Sequence, residues 1–301
     1  MHTVFLFPGQ GSQRHDMFQP YQGTKHFELI KQLVEDELQE DVNQYTADFS
    51  STRHVQLALL IVGVSSSKQL VDAGIRPDCV AGHSAGAYSA AVLSEVLTLK
   101  DAIRLVDLRG RLMEQAFPSG YGMIAVQGLD LNVVVQVINA HQDDVYLANE
   151  NAQQQVVLSG SNTSLRAIRH TLKEKGARRV IPLSVTVPSH SPLFTKEADQ
   201  LRNAMKNITI RAPKLPYVSN QTARLLRNKE AIVEDLAGNI ASTVKWHTSM
   251  KMLTERGIMN FIQLPPGSIY SDLLEGAFEG IQALSVEALS VDYILQLVQK
   301  E

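Results

Sequence analysis

Residues 80–87 read Val80-Ala81-Gly82-His83-Ser84-Ala85-Gly86-Ala87, a Gly-x-Ser-x-Gly pentapeptide closing an apolar run. This spacing suits a nucleophile elbow, in which a strand stops, turns sharply and becomes a helix with the serine at the apex. Small residues two before and two after the serine let the chain turn without clashes. The hydroxyl is then exposed, and the free N–H groups of the next helix face whatever it attacks. Ser84 is therefore the candidate nucleophile, and acyl transfer the leading chemistry. The alternative is a tight glycine turn with a solvated serine. The flanks favour the elbow: 75–81 reads as a turn and a short buried strand, and 87–97 as a helix rich in Ala, Val and Leu.

A serine nucleophile needs a base, and the chain offers 9 histidines. His83 adjoins Ser84, but neighbours on a strand point to opposite faces, so it reads as a structural contact behind the elbow. His141 and His170 fall in or beside helices and read as solvated. His190 is the best candidate. It lies in Val187-Pro188-Ser189-His190-Ser191-Pro192, a loop after a strand, where a parallel α/β sheet gathers catalytic groups. Its alternative is a loop histidine without a role. Gln10 follows the first strand between two glycines. Its amide could help hold an oxyanion with the backbone N–H of Ala85, or merely steady a turn. Arg109 sits in a helix pattern over 99–116 where Leu105, Leu108 and Leu112 line the packed side and Arg109 borders it. Such an arginine snorkels or binds an anion, and spacing alone favours snorkelling.

The elements that must position these groups follow from periodicity. The chain opens with a buried strand over 3–7 and a loop of turn-formers and amides, Pro8-Gly9-Gln10-Gly11-Ser12-Gln13. Helical patterns cover 26–38, 55–73 and 99–116. From 121 to 186 the order reads β-α-β-β-α-β: strand 123–127, helix 131–140, strands 145–148 and 155–158 about a polar turn, helix 164–175, strand 179–185. That is the ferredoxin-like unit. The expected fold class is α/β: a large α/β-hydrolase-like subdomain with a parallel sheet and nucleophile elbow (1–120 and 187–301), interrupted by a ferredoxin-like small subdomain (121–186). The return passes through helix 198–205, strand 215–219, helices 233–240 and 248–256 and strand 260–264. Pro265-Pro266-Gly267 then precedes a last helix from about Ser268.

Bulk properties bound the function. The 301 residues suit one large domain or one domain with an insertion, and 44% hydrophobic with 20% charged residues is ordinary for a globular enzyme. A net charge of -3 gives no global attraction to nucleic acid or an anionic membrane. The single cysteine, Cys79, excludes an intrachain disulfide framework and a multi-cysteine metal site, and reads as a buried structural thiol. Residues 1–9 lack the features of a signal peptide. No segment reaches the roughly 18 apolar residues of a membrane span. The expectation is a cytoplasmic protein with no metal.

Phe7-Pro8-Gly9-Gln10-Gly11-Ser12-Gln13, Gly82-His83-Ser84-Ala85-Gly86, Arg109-Gly110 and Pro188-Ser189-His190, in this order and at these separations, resemble the malonyl-CoA:acyl-carrier-protein transacylases. The resemblance covers essentially the whole chain. It implies Ser84 as nucleophile, His190 as base, and Gln10 with the Ala85 N–H as oxyanion hole. It implies Arg109 as partner of the malonyl carboxylate, since a guanidinium suits a carboxylate-bearing acyl group. It implies malonyl-CoA as substrate, an acyl carrier protein as partner and no permanently bound cofactor.

The departures narrow the resemblance. Ala87 stands where many relatives carry glutamate, and Asn239 where fatty-acid-synthesis members have a glutamine whose backbone carbonyl orients the histidine. The usual Gly-Pro-Gly reads Pro265-Pro266-Gly267. With Tyr121-Gly122-Met123, Tyr146-Leu147-Ala148-Asn149 and Asn239-Ile240-Ala241, these features look like the transacylase (epsilon) subunit of bacterial malonate decarboxylase, which loads a dedicated carrier. The alternatives are a transacylase of fatty acid or polyketide synthesis and, further off, a serine hydrolase. Arg166, Arg169 and Lys173 repeat at helical spacing with Lys175 close by. They read as a docking stripe for an acidic carrier beside the cleft, or as a merely solvated face.

Overall fold

The computed structural model describes residues 3–141 and 144–299. The outer limits of the expected large subdomain, residues 1–2 and 300–301, and residues 142–143 of the insert lie outside them. Strand β1 (Thr3–Phe7) leads through α1 (Lys25–Leu38) and α2 (Gln44–Ala47) to the long α3 (Thr52–Asp72). Strand β2 (Cys79–Gly82) is followed by α4 (Gly86–Leu93) and α5 (Leu99–Ala116). Next come β3 (Tyr121–Gln127), α6 (Leu131–His141), β4 (Val145–Ala152), β5 (Gln155–Ser161), α7 (Asn162–Glu174) and β6 (Arg179–Pro182). The chain returns through α8 (Thr195–Met205), β7 (Tyr217–Val218), β8 (Leu225–Leu226), α9 (Lys229–Gly238) and α10 (Trp246–Glu255). It finishes with β9 (Asn260–Gln263), α11 (Ile269–Glu275), β10 (Gln282–Ser285) and α12 (Val291–Gln299).

The large sheet has the order β10-β9-β1-β2-β7-β8 and is parallel except for the β7–β8 edge. Every residue of β1 and β2 is buried, as a central parallel strand covered by helices on both faces requires. Cys79 lies within this layer, and burial pushes its thiol up to about 12. The carboxyl ends of β1 and β2 lie side by side, with Phe7 opposite Gly82, so the Gln10 loop and the Ser84 turn leave the sheet together. This is where open α/β sheets bind ligands.

The small sheet has the order β4-β5-β3-β6, antiparallel throughout, which with two helices is the ferredoxin-like arrangement. Its two faces do different work. Ile124, Val126, Val156 and Leu158 pack with Val134 and Val137 of α6 and Leu165, Ile168 and Leu172 of α7. Met123, Ala125 and Val157, alternating with them, face the cleft over the elbow. Val244 N–H donates to Ala148 O at 2.8 Å and Glu150 N–H to Val244 O at 2.9 Å, tying β4 to the segment before α10.

Several elements differ from expectation: the helix expected over 87–97 ends at Leu93, that over 233–240 spans Lys229–Gly238, and α2 and β8 are additional. The helix near Ser268 is not the last element: β10 and α12 follow it. Gln282-Ala283-Leu284-Ser285 is too short, and too poor in β-branched residues, to announce a strand. β4 continues through the segment expected to turn, because bulges at Leu147/Asn149 and Glu150/Ala152 let its polar residues stay paired with β5. β6 stops at Pro182 on the edge of the sheet, three residues short of the expected strand, and one further bond, Leu183 N–H to Met123 O at 2.9 Å, follows it.

Candidate active site

The elbow is dictated by crowding. A Cβ on Gly82 would lie 2.3 Å from Ala87 N, and one on Gly86 would lie 2.2 Å from Phe7 O. Neither position has room for a side chain, which accounts for the glycine spacing read from the sequence. Ser84 has φ 53°, a left-handed backbone unusual for a non-glycine residue. Helix α4 begins two residues later, so Ser84 sits at its mouth.

His190 meets this serine: its Nε2 is 2.8 Å from Ser84 Oγ. On the far side of the ring, Nδ1 is 2.6 Å from the backbone O of Asn239. A carbonyl can only accept, so Nδ1 carries the proton and Nε2 is free to take one from Ser84. His190 also has a left-handed φ, 61°, and its N–H donates to Ile240 O at 2.8 Å. Ring and backbone are thus pinned to the same 3₁₀ turn. Burial, aided by the neighbouring Arg109 charge and by His83, pushes His190 down from 6.5 to about 3. The imidazole is therefore neutral at ordinary pH.

Arg109 is 0% exposed, so it does not snorkel. Its Nη2 donates to Ser84 Oγ at 3.2 Å and to Asn239 Oδ1 at 3.3 Å, and its Nη1 to Gln56 Oε1. These partners are neutral, and Nε is buried without a partner. Nearby Asp107 is engaged by Arg53 and Arg111 instead. Burial of an uncompensated charge lowers the guanidinium to about 10. The site therefore holds a buried charge whose hydrogen-bond partners are neutral. The sequence reading placed Arg109 at the border of the apolar face, with Leu108 and Leu112 on the packed side. In the structure Leu108 and Leu112 are half-buried, and Arg109 stands mid-stripe with Leu105, Val106, Gly110 and Met113. The reason is Gly110, where a Cβ would lie 2.5 Å from Arg53 Cα: the close approach of α3 turns this face of α5 inward.

Gln10 lines the same cleft, and its Oε1 accepts from Thr52 Oγ1 at 2.6 Å. The amide NH2 is then the group left to donate. Ala85, buried, caps the start of α4 beside Ser84. The cavity encloses about 200 Å³ between the Ser84–His190 pair, the Gln10 loop, the Met123 face of the small sheet and Tyr270.

His83 does not sit behind the elbow. It is buried on the cleft wall, with Nε2 3.0 Å from Asn149 Nδ2 and 3.2 Å from Asn151 Oδ1, and its ring packs against Trp246 and Tyr270. The alternation rule fails because β2 ends at Gly82 and Ser84 is no longer in strand geometry. Burial brings His83 down to about 4.

The basic stripe does not lie beside the cleft. Arg166, Arg169, Lys173 and Lys175 are exposed on and just after α7, and α7 packs on the face of the small sheet opposite Met123, Ala125 and Val157. A sheet separates these cations from Ser84, so they form a solvated face. Sequence reading also missed Gln56, Asn149, Asn151, Asn220 and Asp235. The one local signal for Gln56 is an amide within the otherwise apolar run 55–64 of α3. Among the described residues no group of three His, Cys, Asp or Glu is placed to hold a metal ion, and no helix is long and apolar enough to cross a membrane.

The family described as acyl transferase domain matches residues 4–297. A malonyl CoA-acyl carrier protein transacylase of Bacillus subtilis is 32% identical over 309 residues, covering 99% of this chain and 98% of that protein. The crystal structure of FabD from Acinetobacter baumannii superposes with a TM-score of 0.93 at 30% identity, covering 100% of this chain and 99% of that one. A malonyl-transacylase solved in complex with a type II polyketide acyl-carrier protein gives 0.93 at 29% identity, with 100% of both chains covered.

Proposed function

The chain belongs to the acyl transferase domain family, and we propose that it moves a malonyl group from malonyl-CoA to the thiol of an acyl carrier protein through a malonyl-serine intermediate. Ser84 Oγ attacks the thioester carbonyl while its proton passes to His190 Nε2. The carbonyl oxygen, now negative, is held by the Ala85 N–H and the Gln10 amide. Collapse of this intermediate breaks the C–S bond, and His190 returns the proton to the departing coenzyme A sulfur. The carrier thiol then attacks the Ser84 ester by the same steps in reverse. Arg109 pairs with the free carboxylate of the malonyl group throughout, and Asn239 O holds the base in its tautomer. Serine, imidazole and N–H donors supply the whole reaction, so no resident cofactor is needed. In this reading residues 121–186 are a small subdomain that roofs the cleft.

The observation that carries the proposal is the meeting of His190 Nε2 and a buried guanidinium without a carboxylate partner at one serine oxygen. A serine hydrolase needs the first but has no use for the second, and it commonly orients its histidine with a carboxylate. Here Asn239 O does so. The relatives support a carrier of fatty acid or polyketide synthesis as acceptor. The narrower reading, the epsilon subunit of malonate decarboxylase, rests on sequence features alone: Ala87, Asn239 and Pro265-Pro266-Gly267 with Tyr121-Gly122-Met123, Tyr146-Leu147-Ala148-Asn149 and Asn239-Ile240-Ala241. Initial rates with malonyl-CoA and carrier varied together test the proposal. Parallel double-reciprocal lines are expected, and intersecting lines would require a ternary complex instead. Transfer to a fatty-acid carrier and to the decarboxylase carrier, measured side by side, separates the two branches.

A further inference from the structure

Strand β7 pairs in parallel with β2, Ala81 opposite Val218, so the chain leaving β7 runs level with the turn that follows β2. Asn220 stands there, buried to 4% exposure. Its Oδ1 accepts the Ser84 backbone N–H at 2.9 Å, and its Nδ2 donates to Gly82 O at 2.9 Å. Only one orientation of the amide satisfies both, because one elbow group is a donor and the other an acceptor. The two contacts bracket the residue before the nucleophile and the nucleophile itself, where φ is 53°. Backbone bonds hold the residues around it, His83 N–H to Phe7 O and Gly86 N–H to His83 O, both at 2.9 Å, and Asn220 is the side chain that takes the N–H of Ser84 itself; the glycines at 82 and 86 permit the turn but do not impose it.

Asn220 is itself fixed from behind. Its backbone N–H donates to Asp235 Oδ2 at 3.1 Å, and its carbonyl accepts from Lys245 N at 2.8 Å. Asp235, on α9, is buried without a cation. Its carboxylate instead collects Tyr217 Oη at 2.8 Å, Ser219 Oγ at 2.5 Å and Gln221 N at 3.0 Å besides Asn220 N. With Asn220 Nδ2 a longer fifth at 3.4 Å, these donors on one buried carboxylate lock the 217–221 segment into a single shape. Asn239 lies four residues beyond Asp235, at the end of the same helix, and its carbonyl orients His190. One anchored element therefore underlies both halves of the Ser84–His190 pair.

We infer that Asn220 is a positioning residue for the nucleophile: it clamps the elbow so that Ser84 Oγ stays in line with His190, with Asp235 as the anchor of the clamp. The inference rests on Ser84 being the nucleophile. It does not line the cleft, so its loss acts on the placement of Oγ rather than on substrate binding.

The test measures single-turnover loading of malonyl from malonyl-CoA by intact-mass and peptide mass spectrometry. Asn220→Ala is expected to load about 10- to 100-fold more slowly, the scale of a displaced reacting group, with KM for malonyl-CoA within about twofold. Asn220→Asp gives the second readout. A protonated Asp can accept from Ser84 N–H and donate to Gly82 O as Asn does. An ionised one cannot donate, and it would face the Asp235 carboxylate, with Tyr217 and Tyr88 the other titratable groups on that side. The ratio of its loading rate to wild type should therefore rise as pH falls from about 8 to about 5.5. A folded Asn220→Ala that loads at the wild-type rate, or a ratio for Asn220→Asp that does not change with pH, overturns the clamp while leaving the nucleophile standing. Wild-type label found on a residue other than Ser84 overturns both.

Discussion

Arg109 and His190 converge on a single atom: Ser84 Oγ lies 3.2 Å from Arg109 Nη2 and 2.8 Å from His190 Nε2. The serine hydroxyl can donate to the imidazole and accept from the guanidinium at once. Burial first, and the Arg109 charge second, lower the His190 imidazole from its ordinary value. The proposed base and acyl selector thus meet at the proposed nucleophile.

Arg109→Ala separates selection from catalysis. Malonyl transfer should fall by about 2–5 kcal/mol, the cost of leaving one half of a buried charge pair alone. Acetyl transfer, which has no carboxylate to seat, should be kept or increased. Equal losses for malonyl and acetyl substrates in a folded variant would assign Arg109 to folding.

His190→Ala should slow loading by about 10²–10⁴-fold, the usual range for a lost general base, with coenzyme A binding unchanged. His83→Ala should be milder and act through stability, because its ring bonds Asn149 and Asn151 and makes no bond to Ser84. Loading kinetics with melting curves on both variants would reverse the assignment if His83→Ala were the slower of two folded proteins.

Stability should fall in acid. His190 and His83 are held neutral at about 3 and about 4 in the folded chain but titrate near 6.5 when unfolded. Below that value the unfolded chain binds more protons. The contribution of the pair is therefore complete above about pH 6.5 and is lost as pH falls toward the folded values. Asp235, raised by burial, pulls the other way near its own titration, so the measurement is a difference. Melting temperature against pH for wild type and His83→Asn should converge as pH falls from about 7 to about 5. Parallel curves would mean that His83 is not buried neutral.

Charge reversal at Arg166, Arg169 and Lys173 should leave carrier transfer within about twofold of wild type, since α7 lies across the small sheet from the cleft and exposed charges act over a short range in salt. A large loss specific to the carrier, with transfer to a small thiol unaffected, would restore the stripe as a docking surface.

What could be read from the sequence was local. The elbow glycines are demanded by backbone contacts within five residues and by the adjacent strand, so their spacing announced the turn. The insert was legible because its strands and helices alternate with clear periods. What failed depended on packing. Which face of α5 turns inward is decided by Gly110 against Arg53, an approach invisible in the helix's own pattern. His83 was misplaced because strand alternation was carried past Gly82, where the strand ends. Gln56, Asn220 and Asp235 meet Arg109, Ser84 and the 217–221 segment only after folding, and no local spacing marks them.

The central claim is the covalent one, and peptide mass spectrometry after incubation with malonyl-CoA tests it most directly. Wild-type protein should carry one malonyl group on the peptide containing Ser84, removed when carrier thiol is added. Ser84→Ala should carry none. A malonyl group on any other residue, or one that persists in Ser84→Ala, would contradict the account.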